Sequence, residues 1–192
     1  MDRETSKKSK SVVNAEASKT VRPQFIVLDA NVFIADYWLR SVSSVLLKDF
    51  LKKTNATLVV PKVVFEEVVN HHEEDLKKVK SDIHRMLRGA GRLVRNVKGQ
   101  EDSIEAISKQ SRDEPYRNFL SSELKSLNAM IVDYSDIPHS EVVGRDLRRR
   151  RPFQESGKGY RDTLLWETIL RNCIKENAVT VFITDHYCPV KG

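Results

Sequence analysis

A chain of 192 residues, 40% hydrophobic and 31% charged, has room for one ordinary domain with a tail and gives no reason for a second core. Its formal net charge of +6 favours an anionic partner without separating nucleic acid from an acidic protein or membrane surface. No apolar stretch nears the roughly 18 residues that span a bilayer, and the polar N-terminus lacks the apolar core of a secretory signal. With only Cys173 and Cys188 for thiols, the chain reads as a reduced, cytoplasmic protein without a membrane role.

In chain order, residues 1–22 are rich in Ser, Lys and Thr and lack periodicity, which predicts a flexible basic tail ahead of a domain over 23–192. Gln24 to Asp29 predicts a short buried strand. Val42 to Lys53 has helical spacing through Val42, Val45, Leu46, Asp49 and Phe50, and Thr57 to Val60 predicts a second strand. Pro61 then opens a long helix from its first turn, where a missing N–H does no harm. Gly89, Gly91 and Gly99 punctuate a basic stretch that is expected to leave the compact sheet layer, with further helices at Ser103–Lys109 and Pro115–Leu127. Ala129–Val132 predicts a strand, Ser140–Arg151 a strongly basic helix, Asp162 to about Glu176 another helix, and Val179–Thr184 the last strand. Strands alternating with helices imply an α/β fold with a parallel, Rossmann-like sheet of about four strands.

Four acids stand in or beside apolar segments: Asp29 and Asp185 directly after strands, Glu67 and Asp162 near the starts of helices. In such a sheet, strand C-termini and helix N-termini share the edge where ligands bind, so the four can converge. Helical spacing puts Glu67 on the inward stripe of Val63 and Val64 and leaves Glu66 as a solvated neighbour. The same count places Asp162 above Leu165, Trp166, Ile169 and Cys173, pointing inward. Singly, each has an ordinary structural reading, Asp162 as a helix cap and Asp185 as the start of a turn. Jointly they pose an electrostatic problem, because two carboxylates at 4 Å repel by about 4 kcal/mol at an effective dielectric near 20. Raised pKa values or a hard divalent cation resolve it, and all-oxygen ligation favours Mg2+ or Mn2+ over zinc. That chemistry suits phosphodiester hydrolysis. His71-His72 lacks zinc spacing, Gly89-Ala90-Gly91 follows no strand, and Ser41, Ser43 and Ser44 lack a nucleophile-elbow context.

Leu28-Asp29-Ala30-Asn31-Val32-Phe33, Pro61 with Glu67 six residues on, Asp162 opening the penultimate helix, and Phe182-Ile183-Thr184-Asp185 together resemble a PIN domain, the small metal-dependent nuclease fold. The similarity covers roughly residues 24–185, with a helical insertion implied over 72–126. His139–Phe153 and Lys158–Glu167 resemble in particular a branch of bacterial PIN-like proteins. The resemblance implies a three-layer Rossmann-like fold and a metal-dependent endoribonuclease that cuts single-stranded RNA, in a toxin-like or defence setting. Asp29, Glu67, Asp162 and Asp185 would hold Mg2+ or Mn2+, with Asn31 and Thr184 orienting the first and last acids. It also leaves room for an inhibitory protein partner. Two departures stand out: Ala30 replaces a common Thr or Ser, and the seven residues after Asp185 imply a truncated C-terminal edge without the family's final helix and strand.

Arg148 to Arg151, with Arg145, Lys158 and Arg161 nearby, form the densest positive charge and are candidate phosphate contacts, although a solvated helix face paired with Glu141 and Asp146 explains them equally well. Phe153 and Tyr160 are candidate base-stacking partners or loop anchors. The stripe between Glu73 and Arg88 could support a homodimer or face solvent. The competing functions are a catalytically impaired PIN-like module that binds RNA or a protein, and a phosphohydrolase using Asp29 as nucleophile. Asn31 speaks against the latter, which usually wants a second acid there.

Overall fold

The structure, a computed structural model, describes residues 22–93, 115–153, 159–174 and 178–184. Residues 1–21 of the predicted tail, the helix expected at 103–109, Lys158 and Asp185 lie outside them. Four strands, β1 (Phe25–Leu28), β2 (Thr57–Pro61), β3 (Met130–Val132) and β4 (Thr180–Ile183), form one parallel sheet in the order β3-β2-β1-β4. Among the described residues six helices accompany them: α1 (Ala30–Ala35), α2 (Val42–Lys53), α3 (Lys62–Leu93), α4 (Tyr116–Ser126), α5 (His139–Leu147) and α6 (Tyr160–Asn172). This is the α/β architecture expected from the alternation.

The two central strands read as unbroken apolar runs because both sheet faces are covered. Ile26, Val27 and Leu28 of β1 and Leu58, Val59 and Val60 of β2 are all buried. β4 departs from the buried strand expected there. It sits at the edge of the described sheet, and Val181 and Ile183 are partly exposed. Apolar composition marks a strand but does not tell whether both its faces are covered.

Several boundaries and faces differ from the sequence expectation. Pro61 closes β2, so α3 starts one residue later. α1 was not anticipated: six residues are too few for a periodic signal, and Asp29 starts the helix by accepting from the Ala30 amide. The stripe of α2 faces outward, with Val42, Val45, Leu46 and Phe50 exposed and Ser44 and Leu51 buried. Hydrogen bonds decide that orientation. The Asp36 carboxylate accepts from the Ser41 amide at 2.7 Å, the Ser44 hydroxyl at 2.6 Å and the Arg40 amide at 3.1 Å, which ties down the polar face. On α3 the buried face ends at Val69, and Val79 and Met86 in the proposed dimer stripe are exposed.

α4 packs into the core rather than extending from it. Tyr116, Leu120 and Leu124, spaced four apart, are buried. The Tyr116 ring stacks on His72 with centroids 4.0 Å apart, and its hydroxyl donates to the Tyr37 carbonyl at 2.9 Å. Glu66 is not a solvated neighbour either, because Arg117 of α4 grips both its carboxylate oxygens, and this pairing lowers the Glu66 pKa. Within the expected insertion, α4 therefore packs against α3 and the core.

Burial by itself raises the Asp36 pKa, but the donors from Ser44, Ser41 and Arg40 outweigh it and hold the group below the usual carboxylate range. A depressed folded pKa contributes stability above the unfolded value near 4, and that stability is lost as pH falls through the folded value. Asp36→Asn is therefore expected to cost about 1–2 kcal/mol at pH 7 and less at pH 3.5, by urea unfolding of both chains. An equal cost at both pH values would show that the charge plays no part.

Candidate functional site

All four strands run parallel, so their C-termini share one edge, and the residue that follows each strand stands along it: Asp29 after β1, Lys62 after β2, Asp133 after β3 and Thr184 after β4. The pairing of Leu28 with Ile183 and the hydrogen bond from the Asp29 amide to the Ile183 carbonyl, 2.9 Å, bring Asp29 and Thr184 side by side. The Asp29 carboxylate is then fixed at both oxygens. Oδ1 accepts from the Ala30 amide at 2.8 Å, and Oδ2 accepts from the Thr184 hydroxyl at 2.9 Å and the Asn31 amide group at 3.4 Å. Asn31 and Thr184 thus both donate to the Asp29 carboxylate.

Glu67 lies in the second turn of α3, partly buried, and meets the edge through α6. The Arg161 Nη1 donates to its Oε1 at 2.7 Å, and His71 Nε2 lies 4.0 Å from the same oxygen. Asp162, next to Arg161, is in the first turn of α6. Its placement corrects the inward reading: Asp162 is exposed, and it has no hydrogen-bond or ion-pair partner among the described residues. The helix starts at Tyr160, and its buried face runs through Thr163, Leu164, Leu165, Glu167, Thr168 and Ile169, leaving Trp166 43% exposed. Gly159 sets this start. Its φ of 128° is accessible chiefly to glycine, and a Cβ there would sit 2.8 Å from the Pro152 carbonyl oxygen and the Phe153 Cα.

The buried acid of α6 is Glu167, 8% exposed, and the sequence reading passed over it. Arg145 of α5 pairs with it, and Arg171 lies 3.8 Å from its other oxygen while donating to Glu141 at 2.6 Å. Arg145, a candidate phosphate contact, is already committed to locking α5 onto α6. The basic run lies elsewhere than expected. α5 ends at Leu147, so Arg148, Arg149, Arg150 and Arg151 follow the helix instead of forming one of its faces, and Arg149 has a φ of 49°. All four are exposed, and Arg149 pairs with Asp146 at 3.2 Å. Phe153 is buried in the core, whereas Tyr160 is exposed and its hydroxyl lies 3.2 Å from His139 Nδ1.

Asp133 and His139 were not singled out from sequence. Asp133 carries the signal used for Asp29, an acid directly after a short apolar strand. It is engaged by Lys62 at 2.5 Å and by the Tyr134 and Ser135 amides, and the Lys62 ammonium holds its pKa down. His139 opens α5 without any sequence signal of its own.

The donor chemistry along this edge fits a hard divalent ion: carboxylate and hydroxyl oxygens, with one carboxylate already oriented. Among the described residues, no three acidic, His or Cys side chains close into a metal-holding group. Glu67 faces Arg161 instead, and Asp185 lies outside the described residues.

No helix among the described residues is long and apolar enough to cross a membrane. Among curated proteins and solved structures, none matches this chain. A family model described as a PIN domain matches residues 26–186, from the second residue of β1 to just past β4. That match takes in all four strands but for the first residue of β1, and the positions of the four proposed acids, and the parallel sheet agrees with it. The chain belongs to the PIN domain family.

Proposed function

We propose that this chain is a metal-dependent endoribonuclease that hydrolyses phosphodiester bonds of single-stranded RNA at the sheet edge carrying Asp29. PIN domains are generally metal-dependent nucleases. The observation that carries the reading to this chain is the Asp29 carboxylate, held at both oxygens by Ala30, Asn31 and Thr184. An acid fixed in this way loses little entropy on binding a cation. Asp29, Glu67, Asp162 and Asp185 would hold Mg2+ or Mn2+, which supplies an acidified water and charge compensation at the phosphoryl group. Exposed Arg148, Arg149, Arg150 and Arg151 would bind the RNA backbone, with Lys158 and Arg161 as further candidate phosphate contacts and Tyr160 as a base-stacking partner. Arg145 contributes by fixing α5 against α6. A toxin-like or defence-associated role, with an inhibitory protein partner or a second copy of the chain, belongs to the same proposal.

The pairing of Glu67 with Arg161 favours a second reading, a module that binds RNA without cutting it. End-labelled single-stranded RNA and DNA of one sequence, incubated with the nuclease-free chain in MnCl2 or in EDTA, separate the two. Manganese-dependent cutting of the RNA supports the nuclease. Retained RNA affinity in EDTA with no cutting under any condition supports the binding module.

A further inference from the structure

The contact between Arg161 and Glu67 points to a role for this arginine beyond binding RNA. We propose that Arg161 is a displaceable counter-cation, which neutralises Glu67 until a divalent ion takes the same carboxylate; the inference rests on the metal-dependent reading above.

Three features of the contact carry it. The guanidinium reaches Glu67 with a single 2.7 Å hydrogen bond, and the Arg161 side chain is 65% exposed against 26% for Glu67. An ion pair so open to water is weak and easily exchanged. The adjacent Glu66 differs: Arg117 grips both its oxygens, so of the two neighbouring acids only Glu67 is held loosely. Arg161 also directly precedes Asp162 in the first turn of α6. Rotation of the Arg161 side chain alone would therefore uncover the Glu67 carboxylate without moving the helix.

The exchange also matches the charges. A lone arginine offsets one carboxylate, whereas an ion of charge +2 engages several, so the ion gains from each further acid and the arginine does not. Once released, the guanidinium is repelled by the bound cation and remains on the rim, where an RNA phosphate would be its natural partner.

The test is direct titration with Mn2+, reading the free ion by electron paramagnetic resonance, for the wild-type chain, Arg161→Gln and Arg148→Gln. Removing the competitor is expected to tighten Mn2+ binding about two- to fivefold, the range open to an exposed ion pair. Arg148→Gln removes the same charge from an exposed arginine with no carboxylate partner among the described residues, and is expected to leave the affinity unchanged. Circular dichroism establishes that each variant is folded. No tightening in Arg161→Gln, or equal tightening in both variants, would overturn the proposal and leave the nuclease reading intact. Failure of the folded wild-type chain to bind Mn2+ would overturn both.

Discussion

Leu124→Ala is expected to destabilise the protein by about 2–5 kcal/mol, the largest stability loss among the changes considered. Leu124 is completely buried, and one turn earlier Leu120 is nearly so. Removing three carbons there leaves a cavity that its surroundings cannot fill, because α4 is pinned on several sides. Arg117 grips Glu66 of α3, Lys48 of α2 pairs with Glu123, and Tyr116 stacks on His72. Leu147→Ala provides the contrast: that side chain is largely exposed, and its loss is expected to change stability by less than about 0.5 kcal/mol. Urea unfolding of both variants at pH 7 checks this. A cost below about 1 kcal/mol for Leu124→Ala would mean that α4 is an appendage.

That result bears on what the sequence made legible. β1 and β2 were plain because buried parallel strands are continuous apolar runs, and the parallel order followed from their alternation with helices. The role of α4 was hidden. Its spacing predicted a helix, but its contacts span long sequence separations, such as the pair of Arg117 with Glu66. The same limit applied to α2, where the stripe through Val42, Val45, Leu46 and Phe50 was read correctly as helical while its direction depended on Asp36 gripping Ser41 and Ser44.

Along the candidate edge, Asp29 is conspicuous in the sequence as an acid directly after an apolar strand, and Thr184, which donates to it, stands just after another strand. Asp162 was harder. Leu165, Ile169 and Cys173 are buried as their spacing suggests, but Asp162 and Trp166 on the same stripe are exposed, and the buried face takes in Thr163, Glu167 and Thr168, polar residues that give no apolar signal. The contacts of Arg161 with Glu67 and of Arg145 with Glu167 join distant segments, and no periodicity within either segment announces them.

Asp29→Asn is expected to reduce metal-dependent cleavage by at least on the order of 10²-fold, since even groups that merely support a metal ligand cost 10–100-fold when replaced. The fold should tolerate the change. Asparagine is as good a helix cap as aspartate, and its carbonyl oxygen can still accept from the Ala30 amide. The side-chain amide would lie where Oδ2 now accepts from Thr184 and Asn31, and the threonine hydroxyl can turn to accept from it. The stability cost is therefore expected to stay near 1 kcal/mol, by urea unfolding. The variant loses the charge that attracts a cation while keeping the local structure. A loss of several kcal/mol would instead assign Asp29 a structural role.

The central claim is that the Asp29 edge is a metal-dependent nuclease site. Its most direct test is a time course of end-labelled single-stranded RNA with equal amounts of folded wild-type and Asp29→Asn chains, purified identically, in MnCl2 and in excess EDTA. The account predicts manganese-dependent cutting by the wild-type chain that is nearly absent from Asp29→Asn and abolished by EDTA. Cleavage by Asp29→Asn at the wild-type rate would contradict it.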